Sequence, residues 1–524
     1  MRRSIALGLA GAAVLATATG IGQADQAQAQ QPQAQQPAPP PAAPSLAAPP
    51  VPAAPPVPAA QFGPCPQDIS KQYPQEQCAT VDVPLDYAEP GGEKIHLLAS
   101  KVPARDPAHR KGSLLVNPGG PGGGGAEFAG ELSEQLPAPV RDSYDVVGWD
   151  TRNTEHSEPI TCADPATYWK NPLPDPDDPA ARDAQWRRAQ QYADGCQQRA
   201  GKFLPQLTTV NNARDLDQVR QALREPKISY LGYSYGTYLG ANYGQLFPQH
   251  VDRMVLDSSV DPKHVWYRDN LNQDFAAQQR LGRFFDWVAQ YDRVFHLGTT
   301  GDQVRAAWQG VQADLRQHPH GPLGPWEFTD MTFQALYGES AWTPLARGLD
   351  AFRNHHDDRG LVDQVQTKDR AAETSNAIYN AVECADAPWP TDRQRWERDS
   401  AQVAQRAPFA AWFNSWGVAP CARWHGPHHQ PLKITGAGLP PVLMFNSEHD
   451  VATPYEGAQQ MHRSLPSSTL VTERDAGKHG VYGLGGNPHA DRIGTDYLLN
   501  GTTPHGDTSV PGHPLPDPTK QPAG

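Results

Sequence analysis

Apolar residues come along this chain in two alternating textures. Short apolar or alternating runs, "ATVDVPLDY" (79–87), "KIHLLASKV" (94–102), "GSLLVNPGG" (112–120) and "YDVVGWDTR" (144–152), have the composition of strands. "NNARDLDQVRQALRE" (211–225) places its apolar residues at helical spacing, with Asn212 as the expected N-cap. "KISYLGYS" (227–234), a further helical stretch and "DRMVLDSSV" (252–260) repeat the alternation. Strands alternating with helices, several of the strands apolar throughout, predict an α/β fold with a mostly parallel, buried sheet. From 265 to 434 the strand texture fades into aromatic-rich helical patterns such as "NQDFAAQQRLGRFFDWVAQ" and "SNAIYNAVECAD", which reads as an inserted helical cap domain. Strand texture returns at "LPPVLMFNSEHD" (439–450) and "STLVTERDAG" (468–477), with a helix between them in which Thr453 is the expected N-cap and Pro454 the first residue.

The two ends differ from this body. Arg2, Arg3, the apolar stretch Ile5–Ala18 and the small-x-small site ending at Ala29 predict an export signal over 1–29, too short in its apolar part to span a bilayer. Residues 30–61 are Gln, Pro and Ala and cannot build a core. The expected order is therefore signal 1–29, Pro-rich segment 30–61, first sheet portion 62–264, cap 265–434, second sheet portion 435–502, and a Pro/Gly/His-rich tail 503–524.

Composition narrows the class. Asp plus Glu number 57 against 44 Lys plus Arg, for a net charge of −13 without a long basic run, which argues against a nucleic-acid partner. The six cysteines of an exported chain predict three disulfides, and neighbour pairing (Cys65–Cys78, Cys162–Cys196, Cys384–Cys421) closes the shortest loops. The expected product is a secreted protein with no stable membrane association once the signal is removed.

Four segments carry candidate chemistry. "GYSYG" sets Ser234 between Gly232 and Gly236 where a strand becomes a helix, the context of a nucleophile elbow. "LLVNPGGPGGGG" (114–125) ends an earlier strand with six glycines, and peptide N–H groups unobstructed by side chains suit an oxyanion site. Gly120, with Gly119 as the near alternative, and Tyr235 are the expected donors. Asp450 ends a later strand, with Asp257 as its competitor. His479 follows the next strand in "ERDAGKHGVYG" and is selected by that position over the neighbouring His449, His462 and His489. The chain order Ser234, Asp450, His479 matches this elbow architecture. The roles would be nucleophile, orienter of the imidazole, and general base. The histidines of "HGPHH" (His425, His428, His429) lack a supporting carboxylate spacing, and neither metal nor other cofactor is expected.

The blocks "NPGGPGG", "GYSYGTYLGANYGQLFP", "AVECADAPWP", "ATPYEGA" and "TERDAGKHG" resemble the secreted tripeptidyl aminopeptidases of the α/β-hydrolase superfamily, relatives of the proline iminopeptidases, over about 62–500. The resemblance implies an α/β-hydrolase fold with a helical cap. It also implies release of tripeptides from free N-termini of peptides or proteins, and Ser234, Asp450 and His479 as the triad. Prolyl tri/tetrapeptidyl members prefer proline before the cut. The chain departs from the family at Gly124, where serine is usual, at Asp150-Thr151-Arg152-Asn153, and in lacking C-terminal cysteines. An aminopeptidase needs carboxylates for the substrate amine, and Glu383, leading, with Asp386 in the cap are the candidates. A secreted esterase or lipase would use the same triad, and a wall-associated binding protein would need none of it.

Overall fold

Among the described residues ten strands form one sheet: β1 (Gly63–Pro64), β2 (Gln77–Pro84), β3 (Lys94–Val102), β4 (Gly112–Asn117), β5 (Tyr144–Trp149), β6 (Ile228–Tyr233), β7 (Val251–Asp257), β8 (Val442–Ser447), β9 (Ser468–Arg474) and β10 (Thr508–Pro511), in the order 1-2-3-5-4-6-7-8-9-10. This computed structural model describes residues 57–168, 178–366 and 368–520, so the expected export signal and most of the Pro-rich segment lie outside the described residues. Pairing is antiparallel from β1 through β3 to β5 and parallel from β5 across to β10.

The period-2 pattern sorts the central strands onto two faces. Leu115, Val147, Tyr230 and Met254 point to one side, with α3 (Thr209–Ala222) and α4 (Tyr235–Leu246) packed over them through Leu216, Val219 and Leu239. Leu114, Val116, Val146, Leu231, Val255 and Leu443 point to the other, under Phe128 and Leu132 of α1 (Gly125–Gln135) and Tyr497 of α11 (Pro488–Asn500). Burying each such side chain contributes about 1.5–3 kcal/mol, and cover on both faces is what lets a parallel sheet be apolar throughout. β4 has β5 on one side and β6 on the other. The chain therefore reverses direction across the sheet at β4, and the loops after β4 and β6 open a crevice at the strands' C-terminal ends.

Between β7 and β8 the chain builds a helical cap with its own aromatic core: Phe284, Phe285 and Trp287 of α5 (Tyr267–Gln290), Trp308 of α6 (Gly301–Gln317) and Trp342 of α7 (Trp342–His355). A second aromatic group joins Trp396 of α9 (Arg393–Ala404), Trp389 and Tyr267 to Trp186. Trp186 belongs to α2 (Pro179–Ala200), a helix inside the interval that the sequence pattern assigns to the first sheet portion. Its buried residues Trp186, Ala189, Ala193, Cys196 and Ala200 keep helical spacing, but Arg, Gln and Asp dominate the stretch and hide it. α8 (Arg370–Asp386) completes the cap wall.

Three disulfides join Cys65–Cys78, Cys162–Cys196 and Cys384–Cys421, the neighbour pairing. Other expectations shift. The N-cap of α3 is Thr208, whose side chain accepts from Asn211 N–H; Asn212 sits in the first turn, because the threonine hydroxyl reaches the free amide first. α10 (Tyr455–Ser464) starts one residue later than expected, with Pro454 at the N-cap. The expected tail contains β10, four residues with Val510 buried, too short to register as a periodic pattern.

Candidate active site

Ser234 sits at φ 55°, ψ −127°, between the end of β6 and the first residue of α4. For a residue with a Cβ this backbone costs on the order of 1–3 kcal/mol and must be held by its surroundings. Ser234 N–H donates to Asp257 O (3.1 Å), and Thr237 donates to Ser234 O through its amide (2.9 Å) and its hydroxyl (2.6 Å). The flanking glycines have a steric cause. A Cβ on Gly232 would lie 2.4 Å from Gly236 O, and one on Gly236 would lie 2.8 Å from Asn117 O. Strand and helix approach too closely at the turn for any side chain.

The glycine loop after β4 packs against this turn, with a Cβ built on Gly119 falling 2.7 Å from Ser234 Cβ. Gly119 N–H is already given to Asn117 Oδ1 (3.0 Å). Gly120 instead lines the cavity that Ser234 and Tyr235 face, and Tyr235, as first residue of α4, has an amide without an intrahelical acceptor. Within the departing Asp150-Thr151-Arg152-Asn153 segment, Asp150 accepts from Ala126 N–H (2.9 Å), and Arg152 is buried in a two-point pair with Asp215 (2.7 and 2.8 Å).

Asp450 is almost wholly buried after β8. Its Oδ1 accepts from Ala452 N–H (2.9 Å) and Thr453 N–H (3.1 Å), and its Oδ2 from the Thr453 hydroxyl (3.1 Å). Thr453 thus serves the carboxylate rather than a helix cap. His479 Nδ1 lies 3.0 and 2.9 Å from the two Asp450 oxygens, which leaves Nε2 as the nitrogen free to exchange a proton. Burial alone would lower the His479 pKa, but the charge and hydrogen bond of Asp450 outweigh it and hold the pKa above the ordinary histidine value.

The loop that carries His479 is fixed from several sides. Tyr337 O of the cap accepts from His479 N–H (2.8 Å), and Ser258 Oγ accepts from Gly480 N–H (2.9 Å). Asp257 accepts from Val481 N–H (3.0 Å) and Tyr482 N–H (2.7 Å), so the competitor for the acid position is an anchor of the histidine loop. Burial, against these hydrogen bonds, pushes the Asp257 pKa up to about 7. Tyr233, the residue before Ser234, donates through its hydroxyl to Tyr482 O (2.6 Å), and a Cβ on Gly480 would lie 3.5 Å from its ring. The elbow and the histidine loop are therefore packed neighbours, although Ser234 Oγ makes no hydrogen bond to His479 among the described residues.

The crevice widens under the cap into a cavity of about 1010 Å³, lined by Ser234, Gly120, Trp266, Asp269, Tyr379 and Glu383 among others. Glu383 is buried and accepts from Asn270 Nδ2 (3.2 Å); burial pushes its pKa up to about 8 against the hydrogen bonds of Tyr379 and Asn270. Asp386 does not line this cavity. Its two oxygens take the amide (2.8 Å) and hydroxyl (2.6 Å) of Thr209, pinning α8 to α3, so its expected place beside Glu383 at a substrate amine is corrected. The cavity's second buried carboxyl is Asp269, whose pKa burial raises well above the carboxylate range, with Asp261 and Glu383 adding to it. An aspartate in the first turn of a helix reads as a partner for the helix dipole, so the sequence carried no sign of this role. The "HGPHH" histidines diverge, His425 to Asp194 and His428 to Cys384 O.

Residues 112–307 match the α/β hydrolase fold family, and 407–510 match the TAP-like protein family. A tripeptidyl aminopeptidase of Streptomyces lividans is 44% identical over 84% of this chain and 85% of its own length. A serine protease, Hip1, of Mycobacterium tuberculosis is 31% identical over 82% of this chain and 86% of its own. A carboxylesterase B of the same organism is 33% identical over 82% and 85%. With this coverage and the elbow, glycine loop and Asp450–His479 pair on one sheet edge, the chain belongs to the tripeptidyl aminopeptidase family of α/β hydrolases.

Proposed function

We propose that the protein is a secreted serine exopeptidase that releases tripeptides from free N-termini of peptides and proteins. The observation that carries this reading is the pair of buried Asp450 with half-buried His479, packed beside the elbow of Ser234, which lines a cavity that holds two buried carboxyls.

In the proposed mechanism Ser234 Oγ attacks the carbonyl before the cut while His479 Nε2 takes its proton. Asp450 fixes the imidazole and stabilises its cation. The oxyanion forms between the amides of Gly120 and Tyr235, where loss of one donor typically costs about 3–4 kcal/mol of barrier. His479 then protonates the leaving amine, and water releases the tripeptide by the reverse sequence. The gap between hydroxyl and imidazole closes in the substrate complex, as such bonds commonly do. The substrate's terminal ammonium meets Glu383 and Asp269. Trp266, its ring tilted 39° to that of Tyr235 at 6.1 Å, offers an apolar wall beside the nucleophile that suits proline or another uncharged residue before the cut.

Three disulfides, together with the N-terminal sequence, support an extracellular site of action with signal cleavage near Ala29. Among the described residues no helix is long and apolar enough to cross a membrane.

The test is a panel of chromogenic di-, tri- and tetrapeptides, each with a free and a blocked N-terminus, varied at the residue before the cut. Cleavage restricted to unblocked tripeptides and abolished by Ser234→Ala is the expected result. Equal turnover of blocked substrates and simple esters would instead favour an esterase.

A further inference from the structure

After α11 the chain adds β10 to the sheet edge, with Thr508 opposite Val471 and Pro511 opposite Arg474, and then runs onto the cap. His513 bridges the two. Its Nε2 lies 2.8 Å from Glu339 Oε2, in the cap turn before α7, and its Nδ1 lies 3.2 Å from Glu473 Oε1 of β9. Three residues later Pro516 O accepts from Trp287 Nε1 of α5 (3.0 Å). One short segment is thus bonded to sheet and cap together.

The charged groups facing His513 come from three elements: Glu473 from β9, Glu339 from the cap turn, and Arg280 of α5, which pairs with Glu339. Asn487 completes the cluster by donating to both Glu473 Oε1 (2.8 Å) and Pro511 O (2.8 Å). Glu339 and Glu473 are almost fully buried. A neutral imidazole has one N–H to give, whereas two carboxylates at its two nitrogens call for the doubly donating cation. Two carboxylates and two cations then balance.

This cluster lies behind His479. Tyr337, whose carbonyl accepts from His479 N–H, is two residues before Glu339. Arg280 passes so close over Gly477 that a Cβ there would lie 2.4 Å from its Cζ. Ser447 Oγ stands 2.8 Å from Glu473 Oε2 and 2.7 Å from Lys478 O, its single proton serving one of them.

We propose that the C-terminal segment 508–520 is a strap that fixes the cap to the sheet and, through Glu339 and Glu473, sets the position of His479, with His513 as its positioning residue. The kinetic part rests on His479 and Ser234 acting as the catalytic pair. The hydrogen bonds of Glu339 and Glu473 raise the His513 pKa to about 9, against burial. The strap is therefore closed below that pH and loosens as pH rises through it.

Hydrogen exchange followed by mass spectrometry over residues 476–482 tests the strap without substrate, using the full chain, His513→Gln, and Ser509→Ala as an exposed control in the same segment. At about pH 7, His513→Gln is expected to exchange roughly 10-fold faster in that loop, with kcat for an unblocked tripeptide falling roughly 10-fold, KM within about 2-fold, and Ser509→Ala behaving as wild type. The unsubstituted protein should show the same loosening only above about pH 9. Exchange in His513→Gln equal to wild type overturns the strap, whatever the activity. Faster loop exchange in a protein that releases no tripeptide supports the strap and sinks the peptidase reading instead. If the substitution accelerates exchange throughout the chain, the pH series on the unsubstituted protein decides: loosening confined to 476–482 supports the proposal, and its absence overturns it.

Discussion

Glu383 shows how burial decides what a carboxyl can do. With its pKa pushed up to about 8, it favours the protonated form at neutral pH, and in the proposed amine site a substrate ammonium would restore the charged form. Substrate affinity should therefore improve as pH rises toward 8 and fail beyond it, when the peptide amine, with a pKa near about 8, loses its own proton. Glu383→Gln removes that charge while keeping the shape. The expected result is a KM for unblocked tripeptides raised roughly 10- to 100-fold, a kcat within about 3-fold, and a KM that no longer improves as pH rises toward 8. An unchanged KM would remove Glu383 from amine recognition. At this scale the sequence was readable where the constraint is local. Gly232 marks the turn at Ser234 because the close approach of its neighbour Gly236 requires it, while Gly236 answers to Asn117 of β4 and is legible only through the local Gly-x-Ser-x-Gly spacing. Asp269 and Thr453 were not readable as site residues, since their partners, Glu383 and Asp450, are set by the tertiary fold in the first case and by an irregular turn in the second. Asp386 misled for the same reason, as nothing near it in sequence announces Thr209.

Elements were legible in proportion to their periodicity. The apolar runs of β4, β5, β6 and β8 are buried at almost every position, as a parallel sheet covered on both faces requires. α2 escaped because its apolar stripe is narrow, and β10 because four residues carry no period. The junction of β6 and α4 makes a direct prediction about element packing. Gly232→Ala puts a methyl 2.4 Å from Gly236 O, a backbone atom that cannot swing aside. The helix must then lift from the strand, at an expected cost of about 3 kcal/mol in denaturant unfolding and a roughly 100-fold loss of fluorophosphonate labelling at Ser234. Thr208→Ala, at the start of α3, removes only a cap and should cost about 1 kcal/mol with labelling intact. If the two substitutions proved alike in both measurements, the steric account of the elbow would be wrong.

Across the whole molecule, the buried charges combine into a pH dependence whose sign can be worked out. Glu383 (about 8), Asp257 (about 7) and Asp386 (about 6) are carboxyls raised above their ordinary values, chiefly by burial. Between the unfolded carboxylate pKa and those values, the native state binds protons that the unfolded chain has released, so stability falls as pH rises. His513 and His156, both raised to about 9 by their carboxylate partners, act in the same direction: their contribution is complete below the unfolded histidine pKa and lost as pH rises through 9. The carboxylates held low, Glu339 at about 2 and Glu473, contribute fully above the unfolded carboxylate pKa, lose that contribution as pH falls below it, and do not oppose this trend at neutral pH. The three disulfides, closing loops of 13, 34 and 37 residues, are indifferent to these protons and add about 3–4 kcal/mol each by chain entropy. A calorimetric series on the oxidised protein should therefore find its highest melting temperature at mildly acidic pH and a fall of roughly 5 °C by pH 9. Asp257→Asn and Glu383→Gln should each flatten the slope between about pH 5 and pH 8, because each removes a proton that the native state alone retains. A melting temperature that climbs over this range would mean that these carboxyls are charged in the folded protein, and the amine-binding argument built on Glu383 would fall with them.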